Sequence, residues 1–159
     1  MKKFILFVLI SSLSLMASEI EIKDAYVRAS PPGIPNTAAF MEIINHTNKD
    51  ISLIKVNTAI SKAAELHTHD MKDGIMKMYQ VPEIVIAAKG KTVLKPGGFH
   101  IMIIGLNQAL KEDQKVTLEM GFSNEESITI EMPIKSVMNG MMHKGMNHDE
   151  HMKHMNHNQ

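Results

Sequence analysis

Two successive runs, Val116-Leu118-Met120-Phe122 and Ile128-Ile130-Met132-Ile134, place an apolar residue at every second position, with the polar stretch Asn124 to Ser127 between them. A period of two puts one face of an extended chain against a core, and a helix would scatter the same residues around its axis. The pair therefore reads as a β-hairpin. Similar short runs recur upstream: Ile20 to Ala29, Ala38 to Ile44, Ile51 to Asn57, Ile75 to Val81, Thr92 to Leu94 and Phe99 to Leu106 all read as strands. Ser61 to Glu65 fits either a helical turn or an approach to a strand, and the segment around Pro82 reads as loop. Turn chemistry separates the strands. Pro31-Pro32-Gly33 with Pro35 forms a rigid loop, Asp70 to Gly74 a turn in which Gly74 is free to take positive φ, and Lys95-Pro96-Gly97-Gly98 the sharpest turn of all. About eight short strands without a helix of ordinary length predict an all-β fold, an antiparallel Greek-key β-sandwich or barrel.

The two ends of the chain differ from this middle. Lys2 and Lys3, the apolar stretch Phe4 to Leu15 and the exit Met16-Ala17-Ser18 have the layout of a cleavable signal peptide, residues 1–17. Twelve apolar-rich residues are too few for a membrane-spanning helix, which needs roughly 20. No cysteine follows them, which excludes a lipid anchor on a thiol. Residues 18–135 then form one domain, and residues 136–159 a tail with six methionines and five histidines but no Leu, Ile, Phe, Tyr or Trp. Such a tail cannot build a core and is expected to be disordered when metal-free. Its donors are Met138, Met141, Met142, His143, Met146, His148, His151, Met152, His154, Met155 and His157. Composition alone makes this a metal-binding tract.

Removing the leader leaves 15 basic against 17 acidic side chains, which provides no electrostatic footprint for nucleic acid or for an anionic membrane. The absence of cysteine excludes disulfides, thiolate zinc sites, iron–sulfur clusters, thiol nucleophiles and blue-copper centres together. What remains for chemistry in the domain is imidazole and thioether. His67, Met78, His100 and Met102 are separated by ten, twenty-one and one residues. Their combination of soft thioether and borderline imidazole suits Cu(I). His100 and Met102 share one face of a strand, His67 and His69 one face of another, and the hairpin after Asp70 returns Met78 beside His67. By contrast, His46 sits in a turn as a surface group, and Met41, Met120 and Met132 read as core filler.

The same residues, with their flanks, resemble the periplasmic copper chaperones called PCuAC, formerly a domain of unknown function. Tyr26-Val27-Arg28-Ala29-Ser30-Pro31-Pro32-Gly33, Glu65-Leu66-His67-Thr68-His69, Gly74-Ile75-Met76-Lys77-Met78 and Leu94-Lys95-Pro96-Gly97-Gly98-Phe99-His100-Ile101-Met102 follow the family's segments in the family's order, over roughly residues 20 to 135. The resemblance implies a cupredoxin-like β-barrel holding one Cu(I) through His67, Met78, His100 and Met102. Tyr26 stands where many relatives have tryptophan, and His69, Met71 and Met76 are additional donors beside the set.

The resemblance also implies delivery of copper to the dinuclear copper centre of cytochrome c oxidase subunit II, or to a thioredoxin-like, Sco-type assembly factor. The expectation is therefore a monomeric periplasmic copper chaperone without stable membrane insertion. Its folded site would hold Cu(I), and its tail would recruit Cu(II) and Cu(I). A periplasmic copper buffer or resistance protein is the alternative. An enzyme is disfavoured, because the soft donors lack an acid–base apparatus beside them.

Overall fold

The computed structural model describes residues 18–72 and 74–136. The signal peptide expected over residues 1–17, and all but the first residue of the tail expected to bind metal over residues 136–159, lie outside them. The described chain forms ten strands and, among the described residues, no helix. They are β1 (Ile20–Arg28), β2 (Asn36–Asn45), β3 (Ile51–Asn57), β4 (Ser61–Lys72), β5 (Ile75–Gln80), β6 (Ile84–Ile86), β7 (Lys91–Leu94), β8 (His100–Leu106), β9 (Lys115–Phe122) and β10 (Ser127–Lys135). Hydrogen bonding runs in the order β5-β4-β8-β2-β1-β10-β9-β3-β6, with β7 pairing the part of β2 that β8 leaves free.

The all-β expectation holds, with one change: the sheet is mixed. β1 and β10 run parallel where Val27 faces Ile134 and Arg28 faces Lys135. The hairpin read from alternation is the β9–β10 pair, in register from Ser127↔Gly121 to Pro133↔Lys115. Two segments lacked a strand signal. Ser61 to Glu65 opens the twelve-residue β4, whose pairing also takes in Asp70 to Lys72, so the turn shrinks to the residues just before Ile75. Ile84–Ile86 is a three-residue strand, too short and too close to Pro82 for its period to register. Its Val85 carbonyl accepts a 2.8 Å bond from the Thr92 hydroxyl, which draws β6 toward β7.

One face of most strands packs inward, while β5 is exposed along its whole length. Ile43, Leu53, Ile84, Ile101, Ile103, Leu118 and Met120 are all within 2 % of complete burial, and Met41 and Met132 join them as expected. β1 needs a break in parity to contribute both of its ends. Asp24 takes φ 52°, the register with β2 shifts between Lys23 and Tyr26, and this bulge lets Ile20 and Val27, an odd number of residues apart, both reach the core. It leaves Tyr26 and Arg28 on the opposite face. Glycine supplies positive φ where the turns need it, at Gly74 (75°) between β4 and β5 and at Gly97 (78°) before β8. Pro96 followed by a positive-φ glycine, closed by Gly98 N–H donating to the Lys95 carbonyl at 3.1 Å, has the pattern of a type II turn.

Because Ile101 has no exposed surface and lies between His100 and Met102, Ile101→Ala is expected to lower stability by roughly 2–5 kcal/mol. Urea unfolding of the metal-free protein measures this, with the exposed Ile54→Ala as the near-neutral control.

Candidate metal centre

The face of the sheet turned away from the core collects the predicted donors. Cross-strand register places His67 of β4 opposite His100 of β8, and Glu65 opposite Met102. On the far side of β8, Ala38 of β2 lies opposite Met102, and beyond it Phe40 is paired with Tyr26 of β1. β5 returns along the other edge of β4 with Met78 opposite His69 and Gln80 opposite His67. The hairpin thus brings Met78 back as expected, but its direct partner is His69 and not His67. The longer β4 accounts for the shift, since a turn placed further along the chain moves the return register.

A cavity of about 510 Å³ opens on this face, with His69, Met78, His100 and Met102 along one side and Arg28, Phe40, Asn36 and Thr37 along another. Pro31 and Ile34 of the loop before β2, and Pro96 and Gly97 of the turn before β8, form its rim. His67 does not line it. The ring centroid of His67 is 5.9 Å from that of His100, and the His69 centroid is 5.0 Å away. Met71 and Met76 face each other nearer the hairpin turn, 62 % and 56 % exposed, and are not part of the cavity wall.

The hydrogen bonds assign the donor atoms. His100, only 3 % exposed, places Nδ1 2.9 Å from the Gly98 carbonyl, which can only accept. In the neutral ring the proton therefore resides on Nδ1 and the lone pair on Nε2. Nε2 lies 3.2 Å from Sδ of Met78, so two lone-pair atoms face each other with no proton between them. His67 has the reverse tautomer. Its Nε2 donates to the Glu65 carboxylate at 2.9 Å, and its buried Nδ1 has no hydrogen-bond partner. A carboxylate or carbonyl that takes one imidazole N–H and leaves the other nitrogen bare is the usual outer support of a metal-binding histidine. Among the described residues no group of three or more His, Asp or Glu side chains is arranged for a metal. The chemistry of the donor set, neutral nitrogen plus neutral sulfur, fits a soft monovalent ion.

Residues 20–134 match the family described as "Putative lipoprotein LpqE-like". The chain belongs to the LpqE-like family. A relative within curated proteins, "Putative lipoprotein Lxx21020" of Leifsonia xyli subsp. xyli, is 28 % identical over 120 residues, covering 75 % of this chain and 71 % of the relative. Among solved structures, the copper-bound PCuAC domain from PmoF2 superposes with a TM-score of 0.64 at 17 % identity, covering 75 % of this chain and 94 % of that domain, a likeness of fold. The Cu(I)-bound solution structure of DR1885 from Deinococcus radiodurans is 29 % identical with a TM-score of 0.58, covering 75 % of this chain and 79 % of that one. The LpqE-like protein described here thus has the fold of PCuAC domains, as its motifs implied.

In this LpqE-like chain two supporting groups escaped the sequence reading. Glu65 had a usable signal, since it precedes His67 by two on a strand and so shares its face. The Gly98 carbonyl had none, because a backbone acceptor is set by turn geometry. Gly98 also receives His69 Nδ1 at the longer distance of 3.4 Å, so one carbonyl serves two rings.

Burial pushes the His100 imidazole below the ordinary histidine range. The Gly98 hydrogen bond works against this, and the neighbouring His69, His67 and Arg28 charges add to it. An unfolded chain takes up this proton near the usual value of about 6.5, before the folded protein does. The contribution of His100 to stability is therefore fully present above that value and is lost as pH falls toward the folded one. Urea midpoints of the metal-free protein are expected to drop between pH 7.5 and 5, and to drop less steeply in His100→Gln.

Proposed function

We propose that this protein is a copper carrier of the cell envelope, holding one Cu(I) through His67, Met78, His100 and Met102. The observation that supports it best is the facing pair of lone-pair atoms, His100 Nε2 and Met78 Sδ, 3.2 Å apart on the edge of an open cavity. The 29 % identity to a protein solved with Cu(I) supports the choice of metal. Membership of a family described as lipoprotein supports an extracytoplasmic setting, and the periplasm is our reading of the leader. The 159 residues contain no cysteine, so lipid attachment is not carried over from the relatives' description.

Neutral donors explain how a carrier can both hold and release its cargo. A thioether has no proton to lose, so acid competes for the site only through its imidazoles, and His100 resists protonation because it is buried. Thioethers also do not form disulfides in an oxidising compartment. An acceptor that offers thiolates holds Cu(I) more tightly, and copper moves toward it by ligand exchange at the exposed Met78, 46 % accessible. Cytochrome c oxidase subunit II and a thioredoxin-like, Sco-type assembly factor are the acceptors we propose, with the carrier acting as a monomer and not as an enzyme. A copper buffer is the second reading, favoured by the eleven methionines and histidines after Lys135.

Anaerobic Cu(I) competition on residues 18–159 is expected to show one tight equivalent, weakened more by His67→Ala, His100→Ala or Met102→Ala than by His69→Ala. Glu65→Gln, which leaves every donor in place, is expected to weaken it about 10- to 100-fold. Equal affinity in all variants would overturn the assigned set.

Ending the chain at Lys135 is expected to lower Cu(II) stoichiometry while one Cu(I) equivalent stays, as read by metal analysis after desalting. Loss of the Cu(I) equivalent with the tail would transfer the carrier role to the tail and favour the buffer.

A further inference from the structure

We propose that the cavity beside His100 binds a carboxylate, gripped by the guanidinium of Arg28. The bulge at Asp24 turns Arg28 to the outward face, where it becomes part of the cavity wall. Its position is set in advance on two sides. The Arg28 carbonyl accepts the Thr37 hydroxyl at 2.7 Å, and Cζ stacks 5.3 Å from the centroid of the Phe40 ring. Yet Nε is buried without a hydrogen-bond partner, and among the described residues no carboxylate forms an ion pair with this side chain. A buried guanidinium N–H with no acceptor costs free energy unless something supplies one.

The cavity fits such an occupant better than it fits a metal ion alone. At about 510 Å³ it is in the range of small-molecule sites. No Asp or Glu lines it, and Arg28 is near enough to His100 for its charge to disfavour a proton there. Planar, two-pronged guanidinium matches the two oxygens of a carboxylate better than a spherical anion. Pro31, Ile34, Phe40 and Pro96 offer an apolar body the remaining wall. The ligand class is therefore a carboxylate on a short apolar stem, either free and of amino-acid size or the acidic side chain of a docking protein. The inference stands on Arg28 and the cavity whether or not copper binds. If the proposed copper site also holds, the carboxylate would offset the positive charge that metal and guanidinium bring together.

The test is a titration of the metal-free full chain, labelled with ¹⁵N, that follows the Arg28 Nε–H resonance in the wild type and the backbone amides of the cavity residues Phe40 and His100 in wild type and variants alike. The probes are sodium propionate and the blocked peptide acetyl-Gly-Glu-Gly-amide. A saturable millimolar shift is expected, weakened about tenfold or more in Arg28→Gln and less in Arg28→Lys. Saturation by propionate at least as tight as by the peptide identifies a free carboxylate, and tighter binding of the peptide identifies an acidic side chain of a partner. An Arg28 resonance unmoved by both probes overturns the proposal, as does equal affinity in a folded Arg28→Gln. Should that variant fail to fold, the wild-type resonance decides alone.

Discussion

Everything at the candidate centre depends on the strict alternation of one strand. Ile101 and Ile103 of β8 are fully buried, and a strand that gives these two residues to the core must give His100 and Met102 to the other side. The neighbours repeat the constraint. Leu66 holds β4 so that Glu65 and His67 face outward, and Ala39 with Met41 does the same for Ala38 and Phe40 on β2. The hydrophobic effect thus places the polar face without acting on it, since a slip of one residue in β8 would turn His100 toward the core and Ile101 away from it.

Within that frame, hydrogen bonds decide which atoms are available. The centre contains no formal negative charge among its proposed donors, and its two imidazoles are oriented by different partners. His100 is buried and tied to a backbone carbonyl, and His67 donates to Glu65. The two rings therefore present different nitrogens, Nε2 from one and Nδ1 from the other. Soft, neutral donors bind a soft cation with little help from Coulomb attraction, which is consistent with a site meant to give up what it holds.

Much of this was legible in the residues. The alternation in β9 and β10 named both the strands and their pairing, and the Lys95-Pro96-Gly97-Gly98 turn marked where β8 begins. Met41, Met120 and Met132 were separable from Met78 and Met102 by the company they keep on a strand face. The limits have physical causes. Alternation gives faces but not neighbours, so the parallel contact of β1 with β10 could not be seen, and the length of β4 decided whether Met78 meets His67 or His69. The bulge at Asp24 carries a conformation that non-glycine residues seldom adopt, with no local motif to announce it, and Arg28 reaches the cavity only because of it.

The parallel seam has a consequence for how the chain acquires its shape. Among the described residues, β1 with β10 is the only strand pairing in the sheet order that joins the block β5-β4-β8-β2-β1 to the block β10-β9-β3-β6. The first strand therefore waits for the last, across more than a hundred residues, before the two halves can close. Closing so long a loop is entropically costly until late in folding, which makes the topology slow. A polypeptide emerging amino end first, from a ribosome or a translocation channel, cannot complete this architecture until nearly all of it has passed. Slow closure would leave such a chain extended for as long as it is being threaded.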